Sequence, residues 1–259
     1  MSKQLEHVFS HQFKTDIWEV LPSNHRLLIT TRDSETLQVS FSLFDLEENK
    51  FLWDNVSFEE SWWISIYDFS GDVIVFQTYN DTQDIEARSA FGFDIHTAEA
   101  LWSIDDIKLN KASDGRLTVT PLSGEHDAFM INTKTGEELD SSEYFESKST
   151  RNEDKFPLHY ESDSPHFETL SSFVRAKLDI ELVGSCDYLE INDFFAIAVN
   201  SKAKTGYNLD LFVFSHEGEL LMQNSLDREL KGLASGTFFI VSQALIFVEG
   251  KRNLVFYRY

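Results

Sequence analysis

Cysteine is nearly absent from the sequence: Cys186 stands alone among 259 residues. That excludes an internal disulfide framework and a cysteine-built zinc site. Basic residues are scarce too, with 22 Lys and Arg against 44 Asp and Glu, a formal net charge of −22. A chain this acidic lacks the basic face that phosphate binding needs, so neither nucleic acid nor an anionic membrane surface is an expected partner. Long apolar runs are missing as well. The longest, such as Phe194–Val199 and Leu245–Val248, fall far short of the ~20 residues that span a bilayer. The first residues, MSKQLEHVFSHQFKTD, hold no apolar core of a secretory signal, so the expected compartment is the cytoplasm, with which a lone reduced thiol agrees. Glycine and proline number only 11 and 4.

Aromatic residues are abundant, with 23 Phe, 8 Tyr and 5 Trp, and hydrophobic residues make up 42% of the chain. Such a chain can bury a sizeable core and is no disordered acidic tail. Strand signals dominate: Arg26–Thr31, Asp72–Thr78, Phe194–Asn200, Asp210–Phe214 and Phe238–Val241 are rich in β-branched and aromatic residues and are bounded by Asn, Asp, Ser or Gly. That spacing predicts an all-β barrel, sandwich or propeller.

Self-similarity selects among these. FSLFDLEENKFLW at Phe41–Trp53 parallels AFGFDIHTAEALW at Ala90–Trp102. Shorter copies occur at Ala128–Leu139, Leu211–Met222 and Leu254–Tyr259. The turn-entry residues are Asp45, Asp94, Asn132, Ser215 and Tyr257, at steps of 49, 38, 83 and 42 residues. Three steps match the ~40–50-residue period of propeller blades and one is about double. The turn chemistry has a mechanism: Asp and Asn side chains bond the backbone two residues on, and Gly136 and Gly218 supply a positive φ. Trp53 and Trp102 end the outer strands, where a large ring fills the gap between wedge-shaped blades.

The expected architecture is therefore one domain over residues 1–259, a β-propeller of five four-stranded blades, with six as the alternative. Blade one runs Trp18–Val56, blade two Trp62–Asp105, blade three Ile107–Leu139 with part of the segment after it, and blade four Val183–Leu226. Gly232–Tyr259 holds only three strands, and the N-terminal segment Leu5–Phe13 supplies the fourth, which closes the ring and removes an open sheet edge. The double step is read as an insertion at about 140–180, with a short strand at Phe156–Tyr160 and a helix near 165–178. Phe167, Leu170, Val174 and Leu178 fall on one helical face, Ser164 is the expected N-cap, Pro165 suits the first position, and Arg175 and Lys177 favour the C-terminal end.

The segment FDIHTAEALW resembles the blade motif of pyrroloquinoline-quinone-type propellers, which runs strand, Asp, Thr-Gly turn, strand, Trp. Asp94, Thr97 and Trp102 match it, and Ala98 replaces the Gly. Asn132, Thr135 and Gly136 match in the third copy, which lacks the Trp. The resemblance implies a fold and not the quinone, because the quinone dehydrogenases are eight-bladed and about twice this length; no cofactor is expected. Over its whole length the chain is similar to a bacterial β-propeller family known only as a domain of unknown function.

Catalytic signatures are absent: the sequence has no GxSxG, HExxH, P-loop or GxGxxG. Cys186 reads as a small buried thiol. His7 and His11 share a strand face ~13 Å apart, too far for one metal ion. His96, His126 and His216 fall at turns, where exposure is the ordinary reading. The acidic clusters Asp81/Asp84/Glu86, Asp105-Asp106 and Glu59-Glu60 lack the spacing of a calcium loop and read as solvated charge. Trp62 and Trp63 are different. Neighbours in a strand point to opposite faces, so both rings cannot enter one core layer, and one is expected near the mouth of a central channel. Tyr188 and Glu190 are the analogous inner-strand residues of blade four. These four are the candidate ligand-binding residues, with packing between blades as the plain alternative for the tryptophans. The expected function is a non-enzymatic binding or scaffold propeller that holds a protein or small ligand. The alternative is a small propeller hydrolase with carboxylates or a metal in the channel.

Overall fold

The computed structural model describes residues 5–59, 62–79, 86–123, 127–140 and 154–259. Of the sequence-level candidates, Glu60, Asp81, Asp84, His126 and most of the acidic stretch after Asp140 lie outside these residues. In chain order the strands are β1 Glu6–Gln12, β2 Asp16–Ser23, β3 Arg26–Asp33, β4 Gln38–Asp45, β5 Lys50–Val56, β6 Ile64–Ser70, β7 Val73–Tyr79, β8 Arg88–Asp94, β9 Glu99–Ser113, β10 Arg116–Pro121 and β11 Phe129–Asn132. Then come β12 Leu158–Glu161, the helix α1 Phe167–Leu178, β13 Ser185–Glu190, β14 Phe195–Lys202, β15 Tyr207–Phe214, β16 Leu220–Leu230, β17 Phe238–Val241, β18 Ala244–Glu249 and β19 Asn253–Arg258. The chain is mostly β, as its patterning predicts, and forms two compact units, Trp18–Asn152 and Met1–Ile17 with Glu153–Tyr259.

The Trp18–Asn152 unit holds a four-stranded sheet, β2-β3-β4-β5, and a six-stranded one, β11-β10-β9-β8-β7-β6. Leu28, Val39, Phe41 and Leu43 of the first sheet pack against Ile64, Ile74, Phe76 and Phe93 of the second. Phe58 sits among Phe41, Phe76, Phe91 and Phe93 at ring separations of 5.0–6.0 Å. Each fully buried Phe contributes on the order of 2 kcal/mol.

The sequence places a blade boundary between Asp105 and Ile107, and the structure runs one strand through it. Residues Glu99–Ile107 of β9 pair with β8, and Ile107–Ser113 pair with β10. Asp106 takes a positive φ of 53°, and its carbonyl accepts from Leu122 N at 2.9 Å. That single residue redirects the strand, as a bulge does. Two predicted blades are therefore hydrogen-bonded as one sheet.

Turn chemistry behaves as the residues require. Asp45 Oδ1 accepts from Glu47 N and Glu48 N, Asp94 Oδ1 from His96 N and Thr97 N, Asn132 Oδ1 from Lys134 N, and Ser215 Oγ from Glu217 N. The residue that completes each turn has positive φ: Asn49 at 53°, Ala98 at 55°, Gly136 at 73° and Gly218 at 79°. The two tryptophans make the same hydrogen bond. Trp53 Nε1 donates to Ile95 O at 3.0 Å, and Trp102 Nε1 to Thr133 O at 2.7 Å. Each acceptor directly follows a turn-entry residue of the next copy, Asp94 or Asn132.

In the other unit, β1 pairs with β19 and completes the sheet β1-β19-β18-β17, as expected of the N-terminal segment. The register slips between His7 and Phe9, which accounts for the broken alternation at Val8. The second sheet there has the order β12-β13-β14-β15-β16, one strand more than the four expected. The extra strand, β12, comes from the insertion; its pairing along β13 has no local signal. The same segment reaches the other sheet, with Lys155 and Ile240 exchanging backbone bonds of 2.8 Å. One face of the five-stranded sheet packs on β17–β19 through Ala196, Leu211, Val213, Leu245 and Phe247. Helix α1 covers the opposite face through Val174, Phe173 and Leu170. The helix begins two residues later than its N-cap signal predicts: His166 is the N-cap residue and no side chain caps it. Ser164 instead forms a turn with Glu161 through a backbone bond of 2.9 Å.

Candidate functional site

The four sequence candidates fall in different units, Trp62 and Trp63 in Trp18–Asn152 and Tyr188 and Glu190 in the other. Each pair is described within its own unit.

Trp62 and Trp63 lie in a bend just before β6, not in the strand expected, and take different partners. Trp62 is half-buried beside the aromatic core. The Arg32 guanidinium on β3 lies over its ring at 5.3 Å and over the Trp18 ring at 4.6 Å. Trp18 is 66% exposed, so one of the two rings faces solvent. The Nε atom of Arg32 is buried and has no hydrogen-bond partner. Burial lowers the guanidinium pKa, against the raising effect of Glu19. Glu19 itself is raised by desolvation, and Arg32 draws it back.

Trp63 is 50% exposed and meets Tyr79 edge-on at 6.4 Å. Arg88 lies over the other ring of that pair, Tyr79, at 4.8 Å and donates to Gln77 Oε1. Gln77 is buried and donates in turn to Ser65 Oγ at 3.1 Å. The Trp62-Trp63 step thus joins two arginine–aromatic clusters. The sequence marked the tryptophans but not Trp18, Arg32, Tyr79 or Arg88. Arginine next to solvent-facing Trp and Tyr is the composition that dominates binding energy at protein interfaces.

Tyr188 and Glu190 do come together. Tyr188 Oη donates to Glu190 Oε2 at 2.8 Å, and His216 Nδ1 stands 3.7 Å from Glu190 Oε1. Burial, then the bond to Glu190, pushes the Tyr188 phenol well above its ordinary value. His216 Nε2 bonds Ile191 O at 2.9 Å, so this turn histidine is anchored. Between these residues' neighbours lies a second constellation that the sequence did not mark. Asp187 on β13 is 1% exposed, its Oδ1 is 2.7 Å from His159 Nδ1 on β12, and its Oδ2 accepts from Thr237 N and Oγ1 at 3.1 Å each. The 28-residue separation of His159 and Asp187 hides the pair from any local motif. Cys186 is a fully buried thiol. Among the described residues no group of three metal-ligating side chains converges, and no helix is long and apolar enough to cross a membrane.

Comparison with curated proteins gives no match. Among solved structures, the chain is similar to a DUF4221-family protein from Bacteroides vulgatus, with 9% identity, TM-score 0.34, and coverage of 100% of this chain and 98% of that one. The β-propeller domain of the Trilobed protease from Pyrococcus furiosus is similar at 10% identity and TM-score 0.31, over 96% of this chain and 72% of that one. The Dos1 propeller is similar at 9% identity and TM-score 0.28, over 93% and 54% of the two chains. Scores this low carry no argument about activity. At the level of sequence families, residues 20–102 match the domain of unknown function DUF4905.

Proposed function

We propose that the chain is a non-enzymatic binding β-propeller of the cytoplasm, one domain over its whole length. Its partner, a protein or small ligand, is held by the surface around Trp18, Arg32, Trp62 and Trp63. The ring has five blades: β2–β5; β6 to the first half of β9; the second half of β9 with β10 and β11; β13–β16; and β17–β19 with β1. The repeated turn chemistry, the paired Trp53 and Trp102 bonds, the β1–β19 pairing and the likeness of Asp94–Trp102 to quinone-type blades support this reading. A six-bladed ring would need another blade from the insertion, whose described residues form β12 and α1.

The observation that carries the binding function is the guanidinium of Arg32 lying over two tryptophan rings, one of them exposed, in a chain of net charge −22. Buried aromatic and arginine anchors carry most of the energy at interfaces. The test is a thermal-shift screen of carboxylates, sugars, calcium chloride and peptides, read on wild type and on a Trp18→Ala/Trp63→Ala variant. A stabilising ligand that loses its effect in the variant supports the reading. Shifts that persist unchanged in the variant overturn it. The hydrolase alternative rests on His159, whose Nδ1 is held by buried Asp187, the arrangement that orients a general base. Turnover of an ester or glycoside panel, lost in His159→Ala, would favour that reading instead.

A further inference from the structure

The arginines of the fold differ in what they meet. Arg26 pairs with Asp72 at 3.2 Å, Arg228 with Asp210 at 2.6 Å and Arg252 with Asp16 at 2.6 Å. Arg32 closes on no carboxylate among the described residues. Glu19 acts on it through space without forming an ion pair. Its Nε is shut away from solvent without a hydrogen bond, and the guanidinium lies over two indole rings at 4.6 and 5.3 Å. A cation that is partly desolvated and unpaired has lost hydration without gaining a partner. A guanidinium stacked in this way offers a planar fork whose two parallel N–H bonds fit an oxyanion, carboxylate or phosphate alike. Ring contacts made before binding reduce the rotamer entropy lost when an anion arrives.

Resting on the binding function proposed above, we infer that Arg32 is the receptor for a single carboxylate attached to a flat apolar group, with the guanidinium taking the carboxylate and Trp18 the apolar part. Net charge decides between anions. A chain of −22 repels a doubly charged phosphate more strongly than a singly charged carboxylate. The exposed Trp18 ring rewards an aromatic or aliphatic neighbour to the charge and does nothing for an inorganic ion.

The experiment titrates benzoate into the full chain and follows the Trp18 and Trp62 indole N–H resonances and the Arg32 Nε–H resonance by NMR. Acetate, benzamide and inorganic phosphate serve as comparison probes. The expected result is saturable binding of benzoate with Kd on the order of 1 mM, as suits a fragment of this size. Benzamide and phosphate should bind at least about tenfold more weakly, and acetate should lie between. Arg32→Gln should abolish saturation. Arg32→Lys, which keeps the charge and loses the fork, should weaken it about tenfold. Should Arg32→Gln fail to fold, Trp18→Ala at its exposed site must still weaken benzoate several-fold. Non-saturating shifts, equal binding of benzamide, tighter binding of phosphate, or retention of benzoate by Arg32→Gln would each overturn the assignment. If benzoate fails while another compound stabilises wild type and not Trp18→Ala/Trp63→Ala, the carboxylate falls and the binding surface stands. If neither responds, both fall.

Discussion

Gly92 lies opposite Trp102 in the β8–β9 register, and a Cβ at Gly92 would stand 2.3 Å from Trp102 Nε1 and 2.5 Å from Cε2. The ring is also bounded by Gly136, where a Cβ would stand 2.6 Å from Trp102 Cγ. Trp102 therefore lies flat between two glycines, and Nε1 reaches Thr133 O at 2.7 Å only from that position. Gly92→Ala must push the ring out. Overpacking costs about 1–3 kcal/mol, and losing the indole bond costs about 1 kcal/mol more. Ala over Gly in a strand returns about 0.5–1 kcal/mol, which leaves a net loss of about 1–3.5 kcal/mol. Trp102→Ala alone should cost about 3 kcal/mol, at the low end for a large ring because Trp102 is only half-buried. The double variant should be no less stable than Trp102→Ala, because without the ring the new methyl has nothing to strike. The coupling is then about 1–3.5 kcal/mol, measured by urea denaturation of wild type, both single variants and the double variant. Additive losses, or a Gly92→Ala variant within about 0.5 kcal/mol of wild type, would refute the wedge and with it the reason for glycine at this position.

Three further outcomes rest on named residues. Ala98 holds a φ of 55° where a glycine would sit without strain, so Ala98→Gly should stabilise by about 0.5 kcal/mol, read from the urea midpoint. Burial, with the Asp187 charge second, pushes the Cys186 thiol up to about 12. It should resist a disulfide exchange reagent at pH 8 until the chain is unfolded, and stability should fall as pH rises from the ordinary thiol range toward 12, because only the unfolded thiol ionises there. Hydrogen bonding by the Thr97 amide, against a smaller desolvation, holds the Asp94 carboxyl low; for Asp72, burial is outweighed by the bonds from Arg26 and His96 together. Carboxyls depressed in the folded state stabilise it above their unfolded pKa, and that contribution is lost as pH falls through the lower folded value. Acid unfolding of an Asp72→Asn/Asp94→Asn variant should therefore be shallower, and an unchanged acid limb would contradict the assignment.

The strands and turns were legible because their signals are local. Asp45, Asp94 and Asn132 each satisfy backbone amides two residues away, and sequence spacing suffices to see that. The β1–β19 pairing was legible because a three-strand remnant at one end needs an edge partner. Continuity of β9 was not, because the bend rests on Asp106 alone, with no Gly or Pro to mark it. The place of β12 was equally hidden: its residues read as a strand, but nothing in them names β13 as neighbour. At the candidate sites the sequence found the aromatic and acidic residues that stand out by type, Trp62, Trp63, Tyr188 and Glu190. It missed Arg32, which reads as an ordinary residue of an apolar strand, and His159–Asp187. Those roles arise from contacts across sheets or strands that no period encodes.

The acidity of the chain takes a different meaning once its aspartates are placed. Asp45 and Asp94 close turns, Asp72, Asp210 and Asp16 each take an arginine, and Asp187 is buried under three donors. These six aspartates, of 44 acidic residues, are thus committed to backbone and side-chain donors. With acids in twofold excess over bases, a cation left without a carboxylate requires a structural cause. For Arg32 the guanidinium lies over the Trp18 and Trp62 rings and meets aromatic faces where Arg26, on the same strand, meets Asp72. An excess of acid that fails to neutralise an arginine leaves that arginine available to an outside anion. The surrounding charge then restricts which anions approach, because repulsion grows with each negative charge the ligand carries.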